Sequence, residues 1–360
     1  MRTPATREHI ADTAVSTADE FFTVLSPRTG DWGGAASKWV FRGQADANWK
    51  LLPSAMRAVN STNPFGQVGV RDSQDMQKRA ATSAHWSLRV DRLNLMLDFL
   101  EDALNDQGLA IPADSPATTR RMRIEANSLP VREMFPLMAL AQHHCLPTLF
   151  LDWTRRAWVA AYFAAVGAAT ALKLPRKSRL SGAKRATHLA VWALRRNEGR
   201  EDGSLQPYFY EAPANTNPNL RAQSGLFTWW ISDGTEDLSL DEYIAWLARK
   251  WNRNIGLRRF LLPVIEAPRL LRLLALEHIN GATMFPGVDG IVRAMRERTL
   301  WDDWEDAAQP ADSAKNTLTI KSSAGSAATS KLSKSDRRSA RRARVVADTR
   351  PNRRTRSGSP

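Results

Sequence analysis

His9 to Val15 is a short, partly alternating stretch that predicts a strand. Thr17 and Glu20 then have the spacing of a capping box ahead of Phe21, Phe22, Val24 and Leu25, which predicts a helix closed by Arg28-Thr29-Gly30-Asp31. Trp39 to Gln44 predicts a strand that carries a Gly near its end. The pattern is helical from about Gln67 to Gln107. It is clearest from Leu88 to Leu104, where Leu93, Leu95, Met96, Leu97, Phe99 and Leu100 make a broad apolar stripe, and Asn105-Asp106-Gln107-Gly108 ends it. Val131 to His143 predicts a second helix, Thr148 to Trp153 a buried strand, and Arg155 to Leu172 an Ala-rich helix that permits close packing.

Beyond a basic loop from Lys173 to Arg185, strands are predicted at His188–Leu194, Tyr208–Tyr210, Gly225–Ile231 and Arg259–Ile265. Helices are predicted at Leu240–Trp251 and Leu270–His278, and after a Gly turn from about Gly287 to Met295. There is no internal repeat and no regular βαβ alternation. The pattern therefore predicts an α+β fold, a mixed β-sheet with several peripheral helices.

Composition divides the chain. Thirteen Lys and Arg stand against three Asp between Pro310 and Pro360, so ten of the fourteen net positive charges lie there, in a segment without Trp, Phe or Tyr. Such a segment cannot bury enough apolar surface to offset its chain entropy, and a disordered basic tail is expected over 310–360. The preceding residues are nearly neutral and hold all 13 Trp. Of these, Trp153, Trp158 and Trp192 sit in apolar stretches and are expected in the core. Trp229 and Trp230 are expected on opposite sides of a strand. Residues 1–38 are expected to form a strand and helix leader that packs on the core. One Cys excludes a disulfide framework and a Cys-rich zinc site, and no apolar run approaches a membrane span. The opening residues lack the apolar core of a secretory signal, so a cytoplasmic protein is expected, with no membrane partner.

Four stretches hold candidate chemistry. Phe41-Arg42-Gly43-Gln44 is followed by Trp49, Leu51, Pro53, Ser54 and Arg57. An Arg at a strand end with Gly beside it can grip phosphate or carboxylate with its planar donor fork. Its plainer use is a structural pair with a buried acid. Ala141-Gln142-His143-His144-Cys145 runs towards Leu151-Asp152-Trp153-Thr154. Adjacent His side chains diverge and have no third ligand at metal spacing, so no metal is expected and the pair reads as cations at a helix end. Asp152 and Thr154, at a strand end before a helix, read equally as lining of a ligand crevice or as an N-cap. Gln223 precedes a strand in Gln223-Ser224-Gly225-Leu226-Phe227, and Asp289 sits in a Gly turn within Phe285-Pro286-Gly287-Val288-Asp289-Gly290.

In this order these segments resemble the FRG domain family, over about 39–295, and a domain is assigned to 39–300 on that basis. Cys145 stands where the family usually has Gly, Leu149 where Arg is common, and Gly287-Val288 where Asp-Leu is usual. FRG domains are found in bacterial and phage proteins and carry no settled reaction. The order of elements along this chain is also similar to that of ADP-ribosyltransferases. That weaker likeness implies an ADP-ribosyltransferase-like core and NAD, or a related nucleotide, as ligand, in a toxin or phage-defence effector. Arg42 would hold NAD with Gly43 and Gln44, near His143, His144, Asp152 and Thr154. Gln223 would stand at the place of the catalytic Glu, where a neutral amide offers a dipole without a charge to oppose the developing oxocarbenium. Glu211 and Glu277 are other acids that could take that place. Two further readings remain open: a non-catalytic nucleotide-binding module, and a nucleic-acid-associated protein acting through the 310–360 tail, where Arg337, Arg338, Arg341, Arg342, Arg344, Arg353 and Arg354 could neutralise phosphates.

Overall fold

The computed structural model describes residues 11–28, 38–57, 85–110, 134–174, 186–196, 207–213, 217–230, 238–251 and 256–308. The chain divides into two units, 1–307 and 308–360. The helix expected from Gln67 is described from His85 onwards. The basic loop from Lys173 to Arg185 lies mostly, and the tail from Pro310 wholly, outside the described residues.

Seven strands are β1 (Ala11–Ala14), β2 (Trp39–Gln44), β3 (Leu151–Thr154), β4 (His188–Arg195), β5 (Tyr208–Tyr210), β6 (Gly225–Trp229) and β7 (Leu257–Pro263). They form one sheet in the order β1-β7-β4-β2-β3-β6-β5. The β1–β7 pair is parallel and the others are antiparallel. The architecture is thus α+β with a mixed sheet and helices around it. The helices are α1 (Ala18–Val24), α2 (His85–Asp106), α3 (Phe135–His143), α4 (Ala157–Lys173), α5 (Pro218–Ala222), α6 (Leu240–Trp251), α7 (Ala267–Leu276), α8 (Gly281–Met284) and α9 (Val288–Ala308). None of the described helices is long and apolar enough to cross a membrane.

Local chemistry explains the main boundaries. The α1 capping box forms, with Thr17 Oγ1 accepting from the Glu20 amide at 3.3 Å and Glu20 Oε2 accepting from the Thr17 amide at 3.3 Å. β3 begins at Leu151 rather than Thr148, because Thr148 uses its backbone and hydroxyl to tie the preceding loop. The Gly turn expected before the last helix holds the short helix α8, capped by the Asn280 side chain. The last helix runs on to Ala308, well past Met295. Its added turns are rich in charge and lack the apolar spacing by which a helix is read from sequence.

The central strands β2, β4 and β7 are covered on both faces. On one, Val40, Trp192 and Leu194 meet the apolar sides of α3 and α6. On the other, Phe41, Val191, Ala193 and Phe260 meet α4 and α7. The alanines of α4 let its backbone approach β2: a Cβ placed on Gly43 would stand 1.9 Å from the Ala160 carbonyl oxygen. Trp153 and Trp192 are buried, and Trp158 stacks on Phe22. Trp229 and Trp230 both pack with the α3 and α6 side, because β6 ends between them.

Candidate functional site

The ladder between β2 and β3 is a single bridge, Phe41 opposite Thr154. Beyond it the strands part, and the Arg42 side chain enters the gap. Its Nη1 donates to the Asp152 carbonyl at 2.8 Å and lies 3.5 Å from the Asp152 carboxylate. The other Asp152 oxygen accepts from Gln142 Nε2 at 2.6 Å. The Gln142 carbonyl in turn accepts from the Thr148 hydroxyl, which itself accepts from the Phe150 amide at 3.2 Å. Ser54 holds the same loop from the other side, its hydroxyl accepting from the Thr148 amide at 3.0 Å. Gln142 and Asp152 are therefore oriented before any ligand arrives.

Around these groups opens a cavity of about 220 Å³ lined by Arg42, Ser54, Arg57, Gln142, Cys145, Leu146, Phe150, Leu151 and Asp152. Two guanidinium groups and one carboxylate share it. Burial pulls Arg42 below the usual arginine range, the Asp152 charge works against that, and the charge of Arg57 adds to the lowering. Arg42 Nε is buried and has no partner among the described residues. Arg57 is exposed, and its Nε donates to the Leu52 carbonyl at 3.2 Å. The cavity thus holds a positive excess and an unspent donor, a combination suited to an anionic group.

Cys145 lines the cavity because of how α3 ends. The Cys145 amide donates to the Gln142 carbonyl at 3.0 Å and the Leu146 amide to the Ala141 carbonyl at 3.0 Å, which is a Schellman closure. Its hinge residue, Cys145, has φ +62°, the left-handed region that favours Gly. The geometry is one that Gly adopts without strain, and it gives Cys145 a backbone role and no nucleophilic one. Among the described residues, no three His, Cys, Asp or Glu side chains come together as metal ligands.

Of the residues expected to bind ligand, Arg42 and Asp152 line the cavity. Gly43 points to the other face of β2, against the α4 backbone. Gln44 is buried, accepting from Trp192 Nε1 at 2.7 Å and donating to the Lys50 carbonyl at 3.2 Å, so both ends of its amide are used. His143 and His144 form the last turn and cap of α3, ring against ring at 4.9 Å and outside the cavity lining. Burial, and then His144, lowers the His143 pKa.

Thr154 lies opposite Phe41 and hence on the α4 face of the sheet. Its hydroxyl donates to the Gln223 carbonyl at 2.7 Å and accepts from the Arg156 amide at 3.1 Å. Gln223 follows α5, and its side chain donates to the Met284 carbonyl at 3.1 Å. Thr154 and Gln223 meet each other, and neither lines the Arg42 cavity. Glu211 is held by Arg155 and Arg196, and Glu277 caps the end of α7. The residues that sequence reasoning left without a role are Arg57 and Gln142. Both stand inside the motif segments, and only the folded chain shows that they converge.

Residues 37–171 match the family model of the FRG domain. The chain carries an FRG domain. No curated protein and no solved structure matches the chain. The FRG domain match runs from the start of β2 into α4, and so takes in every residue of the cavity lining. It ends before Gln223 and before Phe285 to Gly290. The latter segment is structural: a Cβ on Gly290 would stand 1.8 Å from the Phe285 carbonyl oxygen, and Arg293 lies over the Phe285 ring at 4.3 Å.

Proposed function

We propose that the Arg42 cavity of the FRG domain binds the phosphate of a nucleotide, with NAD the first of that class to test. The observation that carries this reading is the convergence of Arg42 and Arg57 on one cavity that holds a single carboxylate. Two like charges there repel, and the Arg57 charge acts to lower the Arg42 pKa. A bound phosphate relieves that repulsion and takes up the remaining guanidinium donors. At about 220 Å³ the cavity is smaller than the roughly 300–1,000 Å³ of sites that enclose whole drug-sized ligands. It suits one phosphate-bearing end of a nucleotide, with the remainder lying along the opening.

Within this reading Arg57 supplies the exposed cation and Arg42, tied to Asp152, the enclosed one. Gln142 donates to one Asp152 oxygen and holds the other near Arg42. ADP-ribosyl transfer through Gln223 finds no support in this arrangement, since the Gln223 side chain is spent on Met284. A second reading rests on Asp152, whose side chain is 59% exposed. A carboxylate so placed could oppose positive charge developing at a ribose carbon, the role that a neutral Gln223 fills poorly.

Calorimetric titration of NAD and of ADP into the full chain, with released nicotinamide assayed in the NAD samples, separates the two. Binding without release supports the module reading. Release that is lost in Asp152→Asn supports the catalytic one. Absence of binding by NAD and by ADP overturns both.

A further inference from the structure

The sheet has a second basic region, far from neutral and distinct from the cavity lining. β2 and β7 begin, β3 and β4 end, and β6 begins at one end of the sheet. Backbone bonds tie these segments side by side: Arg196 N to Lys38 O at 2.6 Å, Arg195 N to Gly256 O at 2.8 Å, and Arg155 N to Ser224 O at 3.1 Å. This end gathers Lys38, Arg155, Arg156, Arg195, Arg196, Arg221 and Arg258. Glu211 answers two of them, pairing with Arg155 and, at 3.0 Å, with Arg196. Arg258 lies over the Trp39 ring at 5.0 Å. The side chains of Lys38, Arg156, Arg195 and Arg221 make no ion pair among the described residues, and Arg156, Arg195 and Arg221 are exposed. Arg155 and Arg156 also precede the N-terminus of the 17-residue helix α4, whose dipole adds positive potential.

We infer that this end of the sheet is a binding surface for the phosphodiester backbone of nucleic acid, independent of the 310–360 tail. Charges at the ends of β7, β4, β2 and β3, and on α5 where it leads into β6, follow five strands spaced about 4.8 Å apart, which makes a track roughly 19 Å long. A track of that length faces several successive phosphates of one strand. Arginine forks suit those oxygens. An anionic membrane fits less well, because a surface-bound element needs apolar side chains to insert. None of the large exposed hydrophobics among the described residues belongs to these segments.

The test is fluorescence anisotropy of a labelled single-stranded RNA of about 20 nucleotides with the full chain, titrated at several salt concentrations. Three chains are compared: wild type, Arg156→Gln/Arg195→Gln/Arg221→Gln, and a control of equal charge loss, Arg272→Gln/Arg296→Gln/Arg298→Gln. The sheet-end variant is expected to weaken binding more than about tenfold at ~0.1 M salt and to reduce the slope of log K against log salt by about 2. The control is expected to keep the wild-type slope. Should the triple variant fail to fold, Arg195→Gln and Arg221→Gln taken singly are each expected to reduce the slope by somewhat less than about 1. Equal slopes in wild type and sheet-end variants overturn the inference and leave any binding to the tail. So does a wild type that does not bind.

Discussion

The Arg42 guanidinium donates to the Asp152 main-chain carbonyl at 2.8 Å, closer than its 3.5 Å approach to that residue's carboxylate. Arg42 therefore clasps the backbone of β3 where the β2–β3 ladder stops, and forms a wall of the cavity as well. Arg42→Ala leaves a β3 carbonyl without its donor, and a loss of about 1–3 kcal/mol is expected in urea unfolding. An unchanged urea midpoint would show that the clasp contributes nothing to stability.

Gly43 is a packing residue. The α4 backbone occupies the space of its Cβ, so Gly43→Ala forces helix and sheet apart. The expected cost is about 1–3 kcal/mol or more, with lowered melting and no ligand needed to see it. A variant as stable as wild type would return Gly43 to the candidates for close ligand approach.

Cys145 at φ +62° carries the strain of a left-handed side-chain residue. Cys145→Gly is expected to raise stability by about 1 kcal/mol and to leave nucleotide affinity unchanged. Loss of binding in that variant would give the thiol a role that the α3 closure does not require.

Alkaline stability follows from two tyrosines. Burial, with Tyr208 adding, pushes Tyr210 up to about 12. Burial and the hydrogen bond to Glu297 raise Tyr162 as well. Both ionise near 10 once unfolded, so above about pH 10 the folded chain holds more protons than the unfolded one and stability falls as pH rises. Urea midpoints measured from about pH 9 to about pH 12 should show this fall, and Tyr210→Phe should flatten it. An identical fall in the Tyr210→Phe chain would place its origin elsewhere.

Much of the fold was legible because its strands and helices are marked locally: the Thr17 and Glu20 box, the apolar run of β4, and the alanines of α4. The sheet order was not, since pairings such as β1 with β7 join residues about 250 positions apart. The site was legible in part. Arg42 and Asp152 line one cavity, and Gly43, next to Arg42 in sequence, packs on the other side of β2. Consecutive strand residues face opposite ways, so a cavity lined by Arg42 excludes Gly43 from its floor. The same alternation, through the pairing of Phe41 with Thr154, places Thr154 and the Gln223 carbonyl on the α4 side. Arg57 and Gln142 carry no distinguishing pattern and become partners of Arg42 only through tertiary packing.

Arg57 gives the most direct test of nucleotide binding. It is exposed and lines the cavity, and its backbone bond to Leu52 is a minor one. Isothermal titration of ADP and of NAD into wild type, Arg57→Ala and Gln223→Ala full chains measures the contribution of each residue. The account predicts that wild type and Gln223→Ala bind alike. It predicts that Arg57→Ala loses about tenfold or more in affinity at an unchanged melting temperature, the scale of one charge-assisted phosphate contact. Equal affinity in Arg57→Ala and wild type, or loss of binding in Gln223→Ala alone, would contradict it.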